Sequence, residues 1–547
     1  MKTRTLLLIL TLVTGLIISG CEKEPYQSDI IEQPQHEKVE LRFQQKDGML
    51  VLGKKIDDPY AIHNIRKARS NLKSAGFSVP ETEIEPNKVY IRFLPQTESE
   101  WQLLKTDSTM VLYDYPLDFE IEEYGTYFHD PALPDSAITW QYTVIPISYD
   151  IPDVNYEILY EVFIPDMDSV SDGSGLKSNE AINVFYYELI LESFRLTGNI
   201  EMTESTLKSK KGLFKKWNPA GNIEVYDHVL SRLIPLKGAE VHARWTTHID
   251  TDITDANGDF EMEGFIYEVN YAIKWERGYY DIRNGNLLQA WYNGPKQKGD
   301  WNLDIWTGGE SIMYATMHRA AHKHFYGDNL GIRRPILITG GKTKICYIDK
   351  YGTGVFWGDW SGSGILPDIR IWGKDINNNY RNTNVIFGFT AHELGHQSHS
   401  QYMGNIQFWQ TAKVIYESWA QAVEWGLTND EYHELGNKYS NTTAKNYNHE
   451  RGSQTWRKSN TNWEYSPIFI DLIDDFNQRY SGYNSGAYHY GSTSYPDDKI
   501  TGYTLSYINN NILKDSYGLS SLRDAVKDNK KSGVTDTDVD DLFALYW

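Results

Sequence analysis

Apolar positions recur with two different periods along this chain of 547 residues. From residue 41 to 203, segments with helical spacing mix with segments that read as strands, which predicts a small α+β domain. No chemical motif occurs in this region, so we expect an accessory domain, and a propeptide-like role is the open alternative. The predicted strands are 49–52 and 89–93, and the predicted helices are 61–72, 99–104 and 179–197.

Residues 218–285 follow the period of two that is typical of strands with one buried face. The alternation is clearest at 221–226 and 239–244, and an Asn-Gly turn at 254–260 separates the second strand from a third. The segment therefore predicts a small β-sandwich. Its string 238–241 followed by this turn resembles the carboxypeptidase-regulatory-like module, which implies a spacer or docking role.

A third region, residues 290–547, predicts one domain that begins with mixed elements and becomes mostly helical. The fold class expected for the whole chain is therefore multidomain α+β. The predicted elements before the helical part are a helix at 310–325 and strands at 336–338, 345–348 and 368–372.

Residues 1–20 have the pattern of a secretion signal. A basic start precedes an apolar run from 6 to 18, which is too short to span a bilayer. Residues 18–21, Ile-Ser-Gly-Cys, resemble a bacterial lipobox, which implies cleavage before Cys21 and its acylation, and several acyl chains anchor a protein stably to a membrane. The polar composition of residues 21–40 predicts a flexible tether.

The composition of the chain limits where the protein can be located and which partners it can bind. A net charge of −21 repels phosphate backbones, so no nucleic-acid partner is expected. The chain has two cysteines, and because lipidation uses Cys21, no disulfide framework is expected outside the cytoplasm. Cys346 lies in an apolar run and predicts a buried strand residue. Acidic residues after Cys21 resemble the export signal of Bacteroidota surface lipoproteins, which implies an outer-membrane lipoprotein exposed at the cell surface.

The strongest chemical signal is the segment His392-Glu393-Leu394-Gly395-His396. Residues four apart lie on the same face of a helix, so His392 and His396 can bind one metal ion. Neutral imidazole suits Zn²⁺, and Glu393 can take a proton from a metal-bound water. With 15 His in 547 residues, the chance expectation for this pattern is about 0.03 per chain.

A third ligand must come from another segment. A His six residues after His396 would indicate a metzincin, but Tyr402 occupies that position. Residues 416–420, Tyr-Glu-Ser-Trp-Ala, resemble the glutamate helix of gluzincin metallopeptidases, and this resemblance implies that Glu417 is the third ligand, brought to the histidines by a loop that reverses the chain. Glu424, two turns further on the same face, is the reserve ligand, although an orienting hydrogen bond to a ligating His fits it better. His399 shares the face of His396, and a cleft-lining role is favoured over ligation.

An earlier predicted helix carries a second pair of histidines at the same spacing, His318 and His322, with His324 nearby. No Glu lies between the pair, and the adjacent Arg319 and Lys323 would repel a cation. A solvated helix face is therefore the favoured interpretation.

The two histidines and Glu417 resemble the ligand set of gluzincin metallopeptidases, and the resemblance covers residues 290–547 as a zincin-like domain. It implies one Zn²⁺ per chain held by His392, His396 and Glu417, with Glu393 as the general base on a zinc-bound water.

Gluzincins also supply a hydrogen-bond donor to the oxyanion from beyond the glutamate helix. His489 and Tyr490 are the best local cluster for this role, and a surface aromatic loop is the open alternative. The strand at 369–372 is expected at an exposed edge, where extended substrate can pair with it.

The expected function is hydrolysis of peptide bonds in extracellular proteins or glycoproteins, with a membrane contact through Cys21. The alternative is a cell-surface binding or adhesion lipoprotein whose zincin-like domain is not catalytic. The intact Glu393 favours the enzyme, because a domain without activity could lose its base freely.

Overall fold

The computed structural model describes residues 47–107, 109–165, 177–200, 217–337, 340–356, 368–437, 448–449, 465–477, 479–480, 484–485, 488–489 and 493–546. Within these ranges the chain is a mixed α+β structure with several sheets. No helix in them combines the length and the apolar composition that a membrane crossing requires. The predicted signal peptide and tether of residues 1–40, with Cys21, and also Tyr490 lie outside the described residues.

The described residues contain eleven α-helices and twenty-one strands. The helices are α1 (Ile62–Ser74), α2 (Glu98–Thr106), α3 (Lys177–Leu196), α4 (Glu310–Phe325), α5 (Thr383–Met403), α6 (Asn405–Gln410), α7 (Lys413–Glu434), α8 (Ile468–Asp471), α9 (Leu505–Asn511), α10 (Leu519–Asp528) and α11 (Asp536–Phe543). The strands are β1 (Val51–Lys55), β2 (Lys88–Phe93), β3 (Phe119–Glu123), β4 (Gln141–Pro146), β5 (Tyr156–Val162), β6 (Ala220–Asp227), β7 (Arg232–Pro235), β8 (Glu240–Trp245), β9 (His248–Ile253), β10 (Asp259–Glu261), β11 (Val269–Lys274), β12 (Glu276–Arg277), β13 (Tyr280–Asn284), β14 (Leu288–Gln289), β15 (Trp291–Gln297), β16 (Trp301–Ile305), β17 (Thr343–Tyr351), β18 (Gly354–Phe356), β19 (Ile369–Lys374), β20 (Asn484–Ser485) and β21 (Tyr488–His489).

The first part of the chain has the mixed character that its periodicity predicts. Strands β4, β2 and β5 form an antiparallel sheet in that order, and β1 pairs with β3. Helices α1 and α3 pack together beside it, and one hydrophobic core joins Ile65 of α1, Tyr90 of β2 and Leu189 of α3. The predicted helices agree with α1, α2 and α3 to within a few residues.

Two four-stranded sheets follow. One has the order β10-β6-β16, with β7 also paired to β6, and the other has the order β15-β11-β8-β9. Their buried residues belong to one core, with Val225 and Leu303 from the first sheet and Val241 and Ile273 from the second. The alternation of apolar positions in the sequence thus reflects strands that turn one face towards this core.

The boundary predicted between residues 285 and 290 does not match the strand pairing. Strands β15 and β16 lie after it but complete the two sheets just described, whereas β13 lies before it and pairs in parallel with β17. A parallel partner lies far away in sequence, so alternation along one segment could not reveal this pairing.

A mixed sheet with the strand order β12-β13-β17-β19-β18 supports the predicted metal-binding helix, and β14 also pairs with β13. The expectation that residues 369–372 lie at an exposed edge is wrong, because β19 is paired with β17 on one side and β18 on the other. Among the strands that the structure describes, β18 ends this sheet beside β19, with which it pairs. Cys346 lies in β17 and is fully buried, as its apolar surroundings predict.

The strand predicted at 336–338 is not found, since residues 332–337 form no strand. Hydrogen bonds from outside any sheet hold the backbone of this segment instead. The hydroxyl of Ser398 donates to the carbonyl oxygen of Arg333, and the amide of Ile336 bonds back to the carbonyl oxygen of Arg334.

The expectation of a solvated face on α4 is also wrong. His318 and His324 are buried, and the Nδ1 of His318 lies 2.9 Å from the hydroxyl of Tyr280. The basic residues beside the histidines do not require a solvated face, because ion pairs neutralise them. Arg319, for example, lies 3.0 Å from Asp227. The burial of α4 could not be inferred from its basic residues, because the acidic residues that pair with them lie on other elements.

A buried ion-pair network joins α2 to the strands β12 and β13. Lys105 Nζ lies 2.6 Å from Asp281 Oδ2 and 3.2 Å from Glu276 Oε2, and Arg283 pairs with Glu98 at 2.7 Å. Burial alone would raise the pKa of Asp281, but the positive charges of Lys105 and Arg283 outweigh it and hold the pKa below its ordinary value. The accessory region is thus tied to the mixed sheet by charge.

Replacement of Asp281 by Asn should therefore destabilise the protein. The substitution preserves shape but leaves the buried Lys105 and Arg283 without a shared carboxylate. We expect the free energy of unfolding, measured by urea titration, to fall by about 3–5 kcal/mol. The exposed Asp300 provides the control, since Asp300→Asn should change stability by less than about 0.5 kcal/mol. Equal effects of the two substitutions would contradict the network's role.

Candidate metal centre

Helix α5 carries the predicted histidine pair through the interior of the protein. Its residues from Ile386 to Ser400 are buried without interruption, so the two imidazoles emerge from a rigid, packed element. Gly395 allows α7 to approach at this level. A Cβ atom added there would lie 3.1 Å from the Cβ of Val423 and 3.4 Å from the Cα of Ala420. Helices α5 and α7 are consequently packed against each other where the predicted ligands lie.

The three predicted ligands meet between these helices. The Nε2 atoms of His392 and His396 lie 3.5 Å and 3.4 Å from the same atom, Oε2 of Glu417. All three residues are buried, and one ligand atom from each lies within 4.8 Å of the others. Two ligands held tetrahedrally at zinc distances are themselves about 3.4 Å apart. The donor set and its spacing therefore fit one Zn²⁺.

The electrostatics of Glu417 agree with this geometry. Burial alone would raise the pKa of its carboxyl group, but the charge of His396 and hydrogen bonds from both imidazoles lower the pKa below its ordinary value. Glu417 is therefore a carboxylate, the form in which the side chain binds a cation.

Glu424 occupies the orienting position that was favoured for it. Its Oε2 lies 3.0 Å from Nδ1 of His392. Because a carboxylate only accepts hydrogen bonds, Nδ1 of His392 carries a proton, and a metal would bind at Nε2 by displacing the proton that faces Glu417.

His449 is a residue of this centre that sequence reasoning missed. Its Nε2 lies 3.1 Å from the other oxygen of Glu424, and its backbone amide donates to Oδ1 of Asn429 at 2.7 Å. No sequence spacing connects His449 to the histidine pair, so only the folded chain brings it there. This contact holds the carboxylate of Glu424 in place, and the carboxylate in turn orients the imidazole of His392.

Glu393 faces the edge strand β18. A Cβ atom added at Gly354 would lie 2.3 Å from Oε1 of Glu393, so the carboxylate lies directly against the backbone of that strand. Two residues later, the ring of Phe356 stacks on His396 with centroids 6.1 Å apart. Strand β18 thus runs along the face of α5 that carries the predicted base and the predicted ligand.

We expect Gly354→Ala to impair catalysis without removing the metal ligands. The added methyl group must displace the carboxylate of Glu393, and a misplacement of about 1 Å in a catalytic group costs up to about 10²-fold in rate. The measurement is kcat on a labelled protein substrate together with zinc content. Gly53→Ala in β1 is the matched control, because its Cβ would meet only ordinary contacts at 3.5 Å. A variant with unchanged kcat would show that β18 does not position the base.

The remaining predicted residues have different outcomes. His399 is fully buried with its ring 5.2 Å from that of Phe408, so the cleft-lining role is wrong. Burial lowers the pKa of His399 to about 3, so its ring is neutral. The backbone of His489 lies in β21, which pairs with β20, and Tyr490 lies outside the described residues. The expected oxyanion role of these two residues stays a prediction.

Comparison of the chain with protein-family models, curated proteins and solved structures finds no significant match.

Proposed function

We propose that this protein is a zinc-dependent metallopeptidase of the gluzincin type that hydrolyses peptide bonds of extracellular proteins or glycoproteins. The observation that carries the proposal is the convergence of His392 and His396 on one oxygen of Glu417, at 3.5 and 3.4 Å. Three protein ligands of this kind leave one position of a tetrahedral ion open, which is typical of catalytic rather than structural zinc.

In this proposal the catalytic power comes from the metal and from one neighbouring carboxylate. Zn²⁺ at this site would polarise the scissile carbonyl group and lower the pKa of a water molecule towards about 7. Glu393, which is 2% exposed, takes the proton from the attacking water and passes it to the leaving amine. Glu424 and His449 act as positioning residues, since they hold the imidazole of His392 in one tautomer and orientation.

We further propose that substrate binds along β18 in an extended conformation. This strand pairs with β19 on one side, and no other strand of the described residues pairs with it. Backbone hydrogen bonds to such an edge align a peptide without reading its sequence. Because Gly354 lies against Glu393, a peptide paired there would pass beside the base.

The other parts of the proposal rest on the sequence. Cys21 carries the lipid anchor of a cell-surface protein in the outer membrane, and the two sheets formed by β6–β11, β15 and β16 contribute a carboxypeptidase-regulatory-like β-sandwich. His489 and Tyr490 are the proposed donors to the oxyanion.

Zinc content and proteolysis of the purified protein test the proposal together. We expect about one zinc per chain, cleavage of a generic labelled protein, loss of that cleavage with 1,10-phenanthroline and its recovery when zinc is added. A protein that binds zinc but cleaves no substrate would favour the alternative, a cell-surface binding or adhesion lipoprotein. If the purified protein binds no zinc, both the proposed metal site and the proposed enzymatic activity are wrong.

A further inference from the structure

A second cluster of potential metal ligands lies outside the His-Glu centre. Asp471, Asp474 and Asp498 each direct a carboxylate oxygen towards the others, and these oxygens lie within 4.8 Å of one another. The residues are 0%, 7% and 5% exposed. Three carboxylates this close and this deeply buried repel one another and lose their hydration, so something must offset their charge.

The hydrogen bonds around the cluster do not satisfy all of its oxygens. Oδ1 of Asp498 accepts from the amide of Ile500 at 3.0 Å, and Oδ1 of Asp474 accepts from the amide of Phe476 at 3.2 Å. The Oδ2 atom of Asp498, however, is buried and has no hydrogen-bond partner among the described residues. A buried carboxylate oxygen without a donor costs free energy, and a bound cation would offset that cost.

The neighbouring Asp497 shows what a structural acidic residue looks like in the same loop. Its Oδ2 lies 2.9 Å from Nζ of Lys499, and its Oδ1 accepts from Nδ2 of Asn477 at 3.1 Å. Lys499 thus neutralises Asp497. Asp497 therefore has the partners of an ordinary ion pair, which distinguishes it from the buried cluster beside it.

We propose that Asp471, Asp474 and Asp498 bind a calcium ion. The donors are all carboxylate oxygens, which suit a hard cation, whereas Zn²⁺ favours nitrogen and sulfur. Calcium takes six to eight oxygen ligands in flexible geometry, so backbone carbonyl groups and water can complete the shell around three carboxylates. Magnesium demands a stricter octahedron and keeps several waters, which fits a buried cluster less well.

Such an ion would connect segments that are distant in the chain. Asp471 ends α8 and accepts a hydrogen bond from the hydroxyl of Tyr546 near the C-terminus, while Asp498 belongs to the loop before α9. The segment that leads into α8 is held to α7 through the amide of Ser466, which donates to the hydroxyl of Ser418 at 2.8 Å. Ser418 is adjacent to Glu417, so calcium would brace the helix that carries the proposed zinc ligand.

Calcium titration of the metal-free protein tests the assignment. We expect one calcium per chain by equilibrium dialysis with ⁴⁵Ca²⁺, and a rise in Tm of at least about 2 °C at saturating CaCl₂. Asp498→Asn should abolish both the binding and the shift, whereas Asp497→Asn should retain both. Asp474→Asn provides a second test if the first variant does not fold. Glu417→Gln should retain the calcium response, which separates this site from the zinc site.

Two outcomes would overturn the proposal. If the wild-type protein binds no calcium and its Tm is unchanged, the cluster is held by a shared proton, as occurs when neighbouring carboxylates cannot all ionise. If MgCl₂ produces the same response at the same concentration, the site is a general divalent-cation site and the assignment to calcium is wrong.

Discussion

Replacement of Glu393 by Gln should lower kcat by about 10²–10⁴-fold while about one zinc per chain remains bound. Gln has the size of Glu but cannot accept a proton, so the substitution removes the proposed general base and keeps the packing against β18. The proposed metal ligands His392 and His396 lie on the same helix and are not altered. The measurement is kcat on a labelled protein substrate, with zinc determined by mass spectrometry on the same preparation.

The control for this prediction must separate loss of the base from loss of the fold. Thermal unfolding of Glu393→Gln should match that of the wild type, because the shape of the buried side chain is conserved. Equal activity of Glu393→Gln and wild type would show that another group takes the proton. Loss of zinc together with activity would leave the role of Glu393 as base unsupported.

Glu417→Gln should cause the largest loss of zinc affinity among single substitutions on α7. It removes the carboxylate charge to which both imidazoles point, at 3.5 and 3.4 Å. The reduction should exceed the roughly 10–100-fold that is typical when a residue hydrogen-bonded to a ligand is lost. Zinc affinity is measured by competition with a chromophoric chelator, and proteolysis should fall in parallel.

Glu424→Gln is the matched comparison, because Glu424 lies on the same helix and is also fully buried. This variant removes no predicted ligand and weakens the contacts of Glu424 with Nδ1 of His392 and Nε2 of His449, so its loss of zinc affinity should stay within about 10–100-fold. The reverse order, with Glu424→Gln losing more zinc than Glu417→Gln, would identify Glu424 as the ligand instead.

Local sequence was sufficient for the helices and for the residues that meet between them. The i, i+4 spacing of His392 and His396 has a geometric meaning on any helix, and α5 provides that helix. Glu417 was expected beside the pair because its segment, 416–420, resembles the glutamate helix of gluzincins. Helix α4 likewise matched its predicted bounds because its apolar spacing is a property of one continuous segment.

Features that depend on distant partners could not be predicted. His449 reaches Glu424 from a segment with no motif, and β19 is an interior strand because β17 pairs with it on one side and β18 on the other. The burial of His318 depends on its contact with Tyr280 in another element. In each case the deciding interaction joins residues whose separation in sequence carries no periodic signal.

The ion pairs between α2 and β13 bear on whether the accessory region could serve as a removable activation segment. When a zymogen loses its activation segment, the remaining protein must stay folded, and the surface that the segment covered must be stable in water. Here its departure would withdraw Lys105 and Glu98 from Asp281 and Arg283, whose side chains are 0% exposed. Proteolytic maturation by that route would therefore uncover charged groups from the protein interior. These buried pairs therefore argue against removal of the region from the enzyme that we propose.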